Sequence, residues 1–135
     1  MSPRTIFLSK LIGLYFILVV PSLMMHRQAT VDSMTSLLHN PSLMFILWII
    51  TIVAGLAMVL AHNLWSSGAL AAVVTIVGWL TLTEGLLFLF LPSAVDTEFI
   101  LRALGHPLLF YVVMAPSLAI GVYLTYGGFT SKSHS

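Results

Sequence analysis

The chain has no cysteine, which excludes disulfide cross-links, thiol catalysis and cysteine-ligated zinc or iron–sulfur sites. Charge is almost as scarce. Asp, Glu, Lys and Arg make up 7% of the 135 residues, against roughly 25% in an ordinary soluble domain. Five Lys plus Arg against four acids leave no basic patch on which nucleic acid could be held by counterion release, so no nucleic-acid partner is expected. What remains is apolar: hydrophobic residues are 59% of the sequence and mean hydropathy is +1.08. Such a composition belongs in a bilayer.

Crossing a hydrocarbon core of about 30 Å takes about 20 helical residues, and four segments meet that length: residues 5–25, 41–61, 68–91 and 107–126. The fold class expected is therefore all-α, a four-transmembrane-helix bundle forming a single domain over residues 1–135. The first segment follows Arg4 and Lys10 as a signal peptide would, but its exit through Met25, His26, Arg27 and Gln28 offers no small-x-small cleavage pattern. We expect it to be retained. One side of the membrane receives Arg4, Lys10 and Lys132, and the other Arg27 and Arg102 among Asp32, Asp96 and Glu98. The positive-inside rule then places both termini in the cytoplasm.

The punctuation supports these spans. Asn40 before Pro41, and His106 before Pro107, each put a capping position ahead of proline at the first helical position. The two outer connections carry helical periodicity of their own. Val31, Met34, Leu37 and Leu38 share a face over residues 30–38, and Phe99, Ile100, Ala103 and Leu104 share one over residues 96–104. Both segments are expected to be short helices lying at the interface.

An approximate internal repeat of about 65 residues relates two helical hairpins. Pro41 and Gly55 are matched by Pro107 and Gly121, Phe45 by Tyr111, Val31 and Asp32 by Val95 and Asp96, and Leu11-Ile12-Gly13 more loosely by Ile76-Val77-Gly78. Such a repeat implies two halves of the same topology related by an axis along the membrane normal. Small residues form stripes suited to close helix contact: Ser117, Gly121 and Thr125; Ala71, Thr75, Gly78 and Gly85; Thr51, Ala54, Gly55 and Ala61. Pro116 predicts a kink in the last span.

Glu84 has most to explain. It lies 16 residues after Gly68 and seven before Leu91, about 24 Å from one end of its span and about 10 Å from the other at a rise of about 1.5 Å per residue. A carboxyl at that depth is expected to face the bundle interior, and desolvation favours its neutral form. Thr81, one turn earlier, is its nearest polar neighbour, with Tyr111 and Ser117 as further partners, and Arg102 and His106 approach from the outer interface. Two roles fit such a group: interhelical hydrogen bonding, or a proton site for transport.

The turn His62, Asn63, Leu64, Trp65 closes the second span. His62 suits a helix C-terminus, Asn63 a left-handed cap, and Trp65 the headgroup region. No acid or second base accompanies His62 there, so the turn does not build a hydrolase, and the chain is expected not to be an enzyme. His26, His39 and His106 lie at the outer interface. No span has a central histidine of the kind a bis-histidine haem needs, so no cofactor or metal is expected.

The His62-Asn63-x-Trp65 turn and the Gly78-Trp79-Leu80 step, within residues 54–80, resemble a widespread group of small bacterial integral membrane proteins. The resemblance implies a four-span protein of the bacterial inner membrane and supplies no substrate. The expected function is a non-enzymatic accessory bundle that associates with itself or with a larger membrane complex. The alternative is a small transporter or channel subunit with Glu84 as an intramembrane proton site.

Overall fold

The computed structural model describes residues 1–91 and 97–131. Among these residues the chain forms helices and no strand, in the order α1 (Pro3–Met25), α2 (Arg27–Leu38), α3 (Pro41–Ala61), α4 (Ala69–Phe90), α5 (Thr97–Gly105) and α6 (Pro107–Thr130). Four of them, α1, α3, α4 and α6, are long and apolar enough to cross a membrane, and they coincide with the four spans expected. Four crossings bring residue 131 back to the side of residue 1. Lys132, Val95 and Asp96, used above for orientation or for the repeat, lie outside the described residues.

Local chemistry sets the helix ends. The Asn40 side chain accepts a hydrogen bond from the Leu43 N–H at 3.1 Å, and Pro41 occupies the first turn, where its missing N–H leaves no intrahelical bond unmade. Ser2 caps α1 in the same way, accepting from the Thr5 N–H at 3.2 Å. At α6 the proline is present but His106 makes no side-chain cap. The helical run of α6 continues through Pro116, and that of α1 through Pro21. The two short outer helices are present, with α2 starting three residues earlier than expected, at Arg27. The remainder of the α5 segment, residue 96, is not described.

Tight packing joins α1 to α6 and α3 to α4. The pairs are thus nested along the chain, whereas a row of sequential hairpins would put the first span against the second. The reason lies in the seams. Lipid removes the hydrophobic drive for helices to associate, so association rests on close van der Waals approach. A Cβ added to Gly55 would lie 2.6 Å from the Cα of Leu82, and one on Gly85 would lie 2.8 Å from Cγ1 of Ile52. Across the other pair, a Cβ on Gly121 would lie 2.6 Å from Cβ of Phe16, and one on Gly13 would lie 2.6 Å from the backbone N of Thr125. Most of the small-residue stripes are therefore consumed inside the chain. Ala54 and Ala61 of the α3 stripe remain exposed.

The seams correspond. Gly55 and Gly121 each follow their helix-starting proline by fourteen residues. Gly55 meets Leu82, four residues after Gly78, and Gly121 meets Phe16 and Ile17, three and four residues after Gly13. Exchanging the two halves of the chain turns the α3–α4 contact into the α6–α1 contact, as a parallel repeat requires.

The two pairs meet at the end where α1 begins and α3 finishes. Ile12, Leu70, Val74 and Leu124 form the core there, with Phe16, Met58, Val77 and Ile120 packed around it. At the other end α2 and α5 pack against each other, and α2 also touches α3 while α5 touches α6. Arg27 ties this end together: its Nη2 donates to the Gly105 carbonyl, and its guanidinium lies 5.7 Å from the centre of the fully buried Phe110 ring. The outward faces of the spans, including Phe45, Ile50, Val53 and Val113, are more than half exposed. Water would penalise that surface and hydrocarbon does not.

Candidate functional site

Two polar positions stand out against this apolar frame, one in the half that carries α2 and α5 and one at the opposite end. Along α4 a single stripe runs Leu70, Val74, Val77, Thr81, Glu84, Phe88, at the three- and four-residue spacing that places side chains on one helix face. Leu70 and Val74 are buried against the opposite pair, Val77 and Thr81 are half-buried, and Glu84 is exposed. The stripe therefore leaves the core and enters an open cleft. Glu84 lines a cavity of about 230 Å³ there, walled by Trp48 and Thr51 of α3 and Phe88 of α4, and covered by Leu37 of α2 and by Ile100 and Leu104 of α5. The rings of Trp48 and Phe88 stack beside it with centroids 6.1 Å apart.

This geometry corrects the expectation that Glu84 is hydrogen-bonded within the bundle. Thr81 donates to the Val77 carbonyl at 2.8 Å, and Tyr111 on α6 is exposed. Among the described residues Glu84 has neither a hydrogen bond nor an ion pair. Thr51, across the cavity, donates to the Leu47 carbonyl at 2.9 Å instead. Arg102 and His106 are exposed, on α5 and at the start of α6, and neither is brought to Glu84. His106 serves through its backbone, donating to the Arg102 carbonyl at 3.1 Å and accepting from the Phe110 N–H at 3.0 Å.

The His62 turn is more elaborately built than its sequence suggests. His62 ends α3 and is 2% exposed. Its Nε2 lies 2.8 Å from Thr5 Oγ1 on α1, and its Nδ1 lies 3.3 Å from Thr75 Oγ1 on α4. Thr75 also accepts from the Leu64 N–H at 3.1 Å and points its own proton at carbonyls, those of Ala71 at 3.0 Å and Leu64 at 3.1 Å. With the Thr75 proton directed at one of these carbonyls, its oxygen accepts from His62, and Nδ1 carries the ring proton. Nε2 is then the acceptor for the Thr5 hydroxyl, and the Ser2 hydroxyl, 2.8 Å from Thr5 Oγ1, completes the chain. A neutral imidazole fits this arrangement, with one ring nitrogen donating and the other accepting. Burial acts in the same direction and pushes the His62 pKa below its ordinary value.

Asn63 is no left-handed cap. Among the described residues only Gly68 has a positive φ, and the Asn63 side chain accepts from the indole N–H groups of Trp65 at 2.8 Å and Trp79 at 3.4 Å. Trp65 itself is 59% exposed, as a residue at headgroup level should be. Sequence reasoning found His62, Asn63 and Trp65 but missed Ser2, Thr5 and Thr75 as their partners. Hydroxyl residues one turn apart at a helix start and mid-span carry no signal of a shared histidine until α1 and α4 are placed on either side of it.

Among the described residues no three His, Asp or Glu side chains converge as metal ligands would. No family model, curated protein or solved structure matches this chain.

Proposed function

We propose that this chain is a non-enzymatic accessory protein of the bacterial inner membrane, with both termini cytoplasmic, that associates with a membrane-embedded partner chain through Glu84. The observation that carries this reading is a carboxyl group at hydrocarbon depth that faces a cavity and has no partner among the described residues. A polar side chain in lipid gains from a donor on a neighbouring helix. The glycine seams, the other usual basis for association, are occupied within the chain. The cavity favours one further reading: a carboxyl lining an open cavity, with the packed core of Ile12, Leu70, Val74 and Leu124 toward the other end, also suits a proton site in a small transporter subunit.

Purification in mild detergent, with the mass and identity of every co-purifying chain determined, tests the proposal. The expected result is an assembly larger than the 14.8 kDa chain that dissociates in Glu84→Leu while helical content is unchanged. A wild-type monomer with nothing bound overturns it. Transport that is lost in a folded Glu84→Gln protein in proteoliposomes would then establish the second reading.

A further inference from the structure

A different end of the molecule shows a second built feature. The first turn of α1 meets the end of α3 through the Thr5–His62 hydrogen bond, and two adjoining cavities lie beside that contact. One, of about 430 Å³, is bounded by Ser2, Arg4, His62 and Asn63. The other, of about 390 Å³, is bounded by Phe7 and Leu8. Both share Pro3, Arg4 and Ala61 as walls. The groove is therefore mainly apolar along its length, with a few polar side chains at the end of the bundle and one guanidinium at the junction.

Arg4 is exposed and has no hydrogen-bond, ion-pair or ring partner among the described residues. The histidine beside it offers nothing more, because both ring nitrogens are engaged. The described carboxylates, Asp32, Glu84 and Glu98, lie on α2, the outer half of α4 and α5, so none can neutralise Arg4. We propose that the groove is a seat for one anionic glycerophospholipid of the leaflet on this side. Its phosphate lies on the Arg4 guanidinium, whose planar fork matches phosphate oxygens, and one acyl chain runs over Phe7, Leu8 and Ala61. Trp65, exposed at the same end, marks headgroup depth. The seat belongs to one half of the repeat, because 65 residues after Arg4 stands Ala69.

The test uses the full chain, delipidated in non-ionic detergent, and follows its thermal midpoint against added dioleoyl phosphatidylglycerol, dioleoyl phosphatidylcholine or sodium phosphate. The glycerol lipid should raise the midpoint at about tenfold lower concentration than the choline lipid, a preference of the size that a basic side chain near an anionic surface together with a charge-assisted hydrogen bond provides. Arg4→Gln should abolish the preference and Arg102→Gln should leave it intact. Phe7→Ser should weaken both lipids. If Arg4→Gln does not purify, Arg4→Lys should retain the preference in reduced form. The proposal is overturned by no shift with either lipid, by equal shifts with both, by a preference that survives Arg4→Gln or falls equally in Arg102→Gln, or by sodium phosphate alone reproducing the shift.

Discussion

At the α1–α6 seam Gly13 and Gly121 let two backbones touch, and at the α3–α4 seam Gly78 and Gly55 do the same at corresponding places. The polar chemistry does not correspond. His62 and Glu84 belong to the α3–α4 pair, while 66 residues after His62 stands Gly128, and 65 before Glu84 stands Val19. The α3–α4 pair places the Thr75 hydroxyl among four partner groups, whereas the α1–α6 pair buries the Ser9 and Thr125 hydroxyls with no partner. Packing is thus shared between the pairs and polar function is not. Steric seams admit almost no substitution, while a position facing a cleft or a loop is free to acquire a carboxyl or an imidazole.

The sharpest way to break the comparison is at the seams. Gly55→Ala and Gly121→Ala should each destabilise, because the new Cβ meets atoms of a partner helix at 2.6 Å. Overpacking of this kind costs about 1–3 kcal/mol, which outweighs the gain of roughly 1 kcal/mol in helix propensity. Thermal unfolding in detergent should show similar losses for the two variants and none for Gly105→Ala, whose Cβ would meet nothing within 4 Å. Unequal losses at Gly55 and Gly121 would mean that the seams are not equivalent.

Hydroxyl deletion should separate the pairs. Thr75→Val strands the Leu64 N–H and the His62 Nδ1–H, and each buried unsatisfied group costs about 1–3 kcal/mol. Ser9→Ala removes a buried oxygen that has no partner and should be neutral or stabilising in the same assay.

A smaller effect follows from pH. Because burial lowers the His62 pKa, the unfolded chain binds a proton there more readily than the folded one. Stability from this site is fully present above the ordinary histidine value of about 6.5 and declines as pH falls through the lowered folded value. The midpoint should fall between pH 7.5 and pH 5, and His62→Gln should flatten that part of the profile. An unchanged slope in His62→Gln would show that the imidazole is not the group responsible.

The smallest effect on stability should come from Glu84→Gln. With no partner to lose among the described residues, the variant should unfold at the wild-type midpoint in detergent, whatever it does to association. A marked loss of stability in the isolated monomer, where no partner chain contributes, would mean that Glu84 is held by a contact inside the chain after all.

Much of this architecture was legible in one dimension. Residues 41–61 are a span because 21 consecutive positions carry no charge, and Asn40 with Pro41 states where the span starts. Gly55, Gly78 and Gly121 announced close helix contact, since glycine in a helix otherwise only weakens it. Their partners were not legible. Spacing along one helix says which face is small, and several neighbours could accept it. The same limit applied to Glu84: its depth followed from counting residues, but the emptiness around it did not. Thr81 and Tyr111 are reasonable partners in a uniformly tight bundle, but the Thr81 hydroxyl turns back to the Val77 carbonyl and Tyr111 faces outward.

By itself the sequence determined the solvent, the number of crossings, the proline-marked starts of α3 and α6 and the presence of a lone carboxyl at hydrocarbon depth. Each of these depends on local composition and on the fixed rise of a helix. Only the tertiary structure decided which spans pair, that His62 sits between Thr5 and Thr75, and that Glu84 and Arg4 line open clefts. Those outcomes depend on which backbones can come closest, a property of two surfaces meeting that neither surface carries alone.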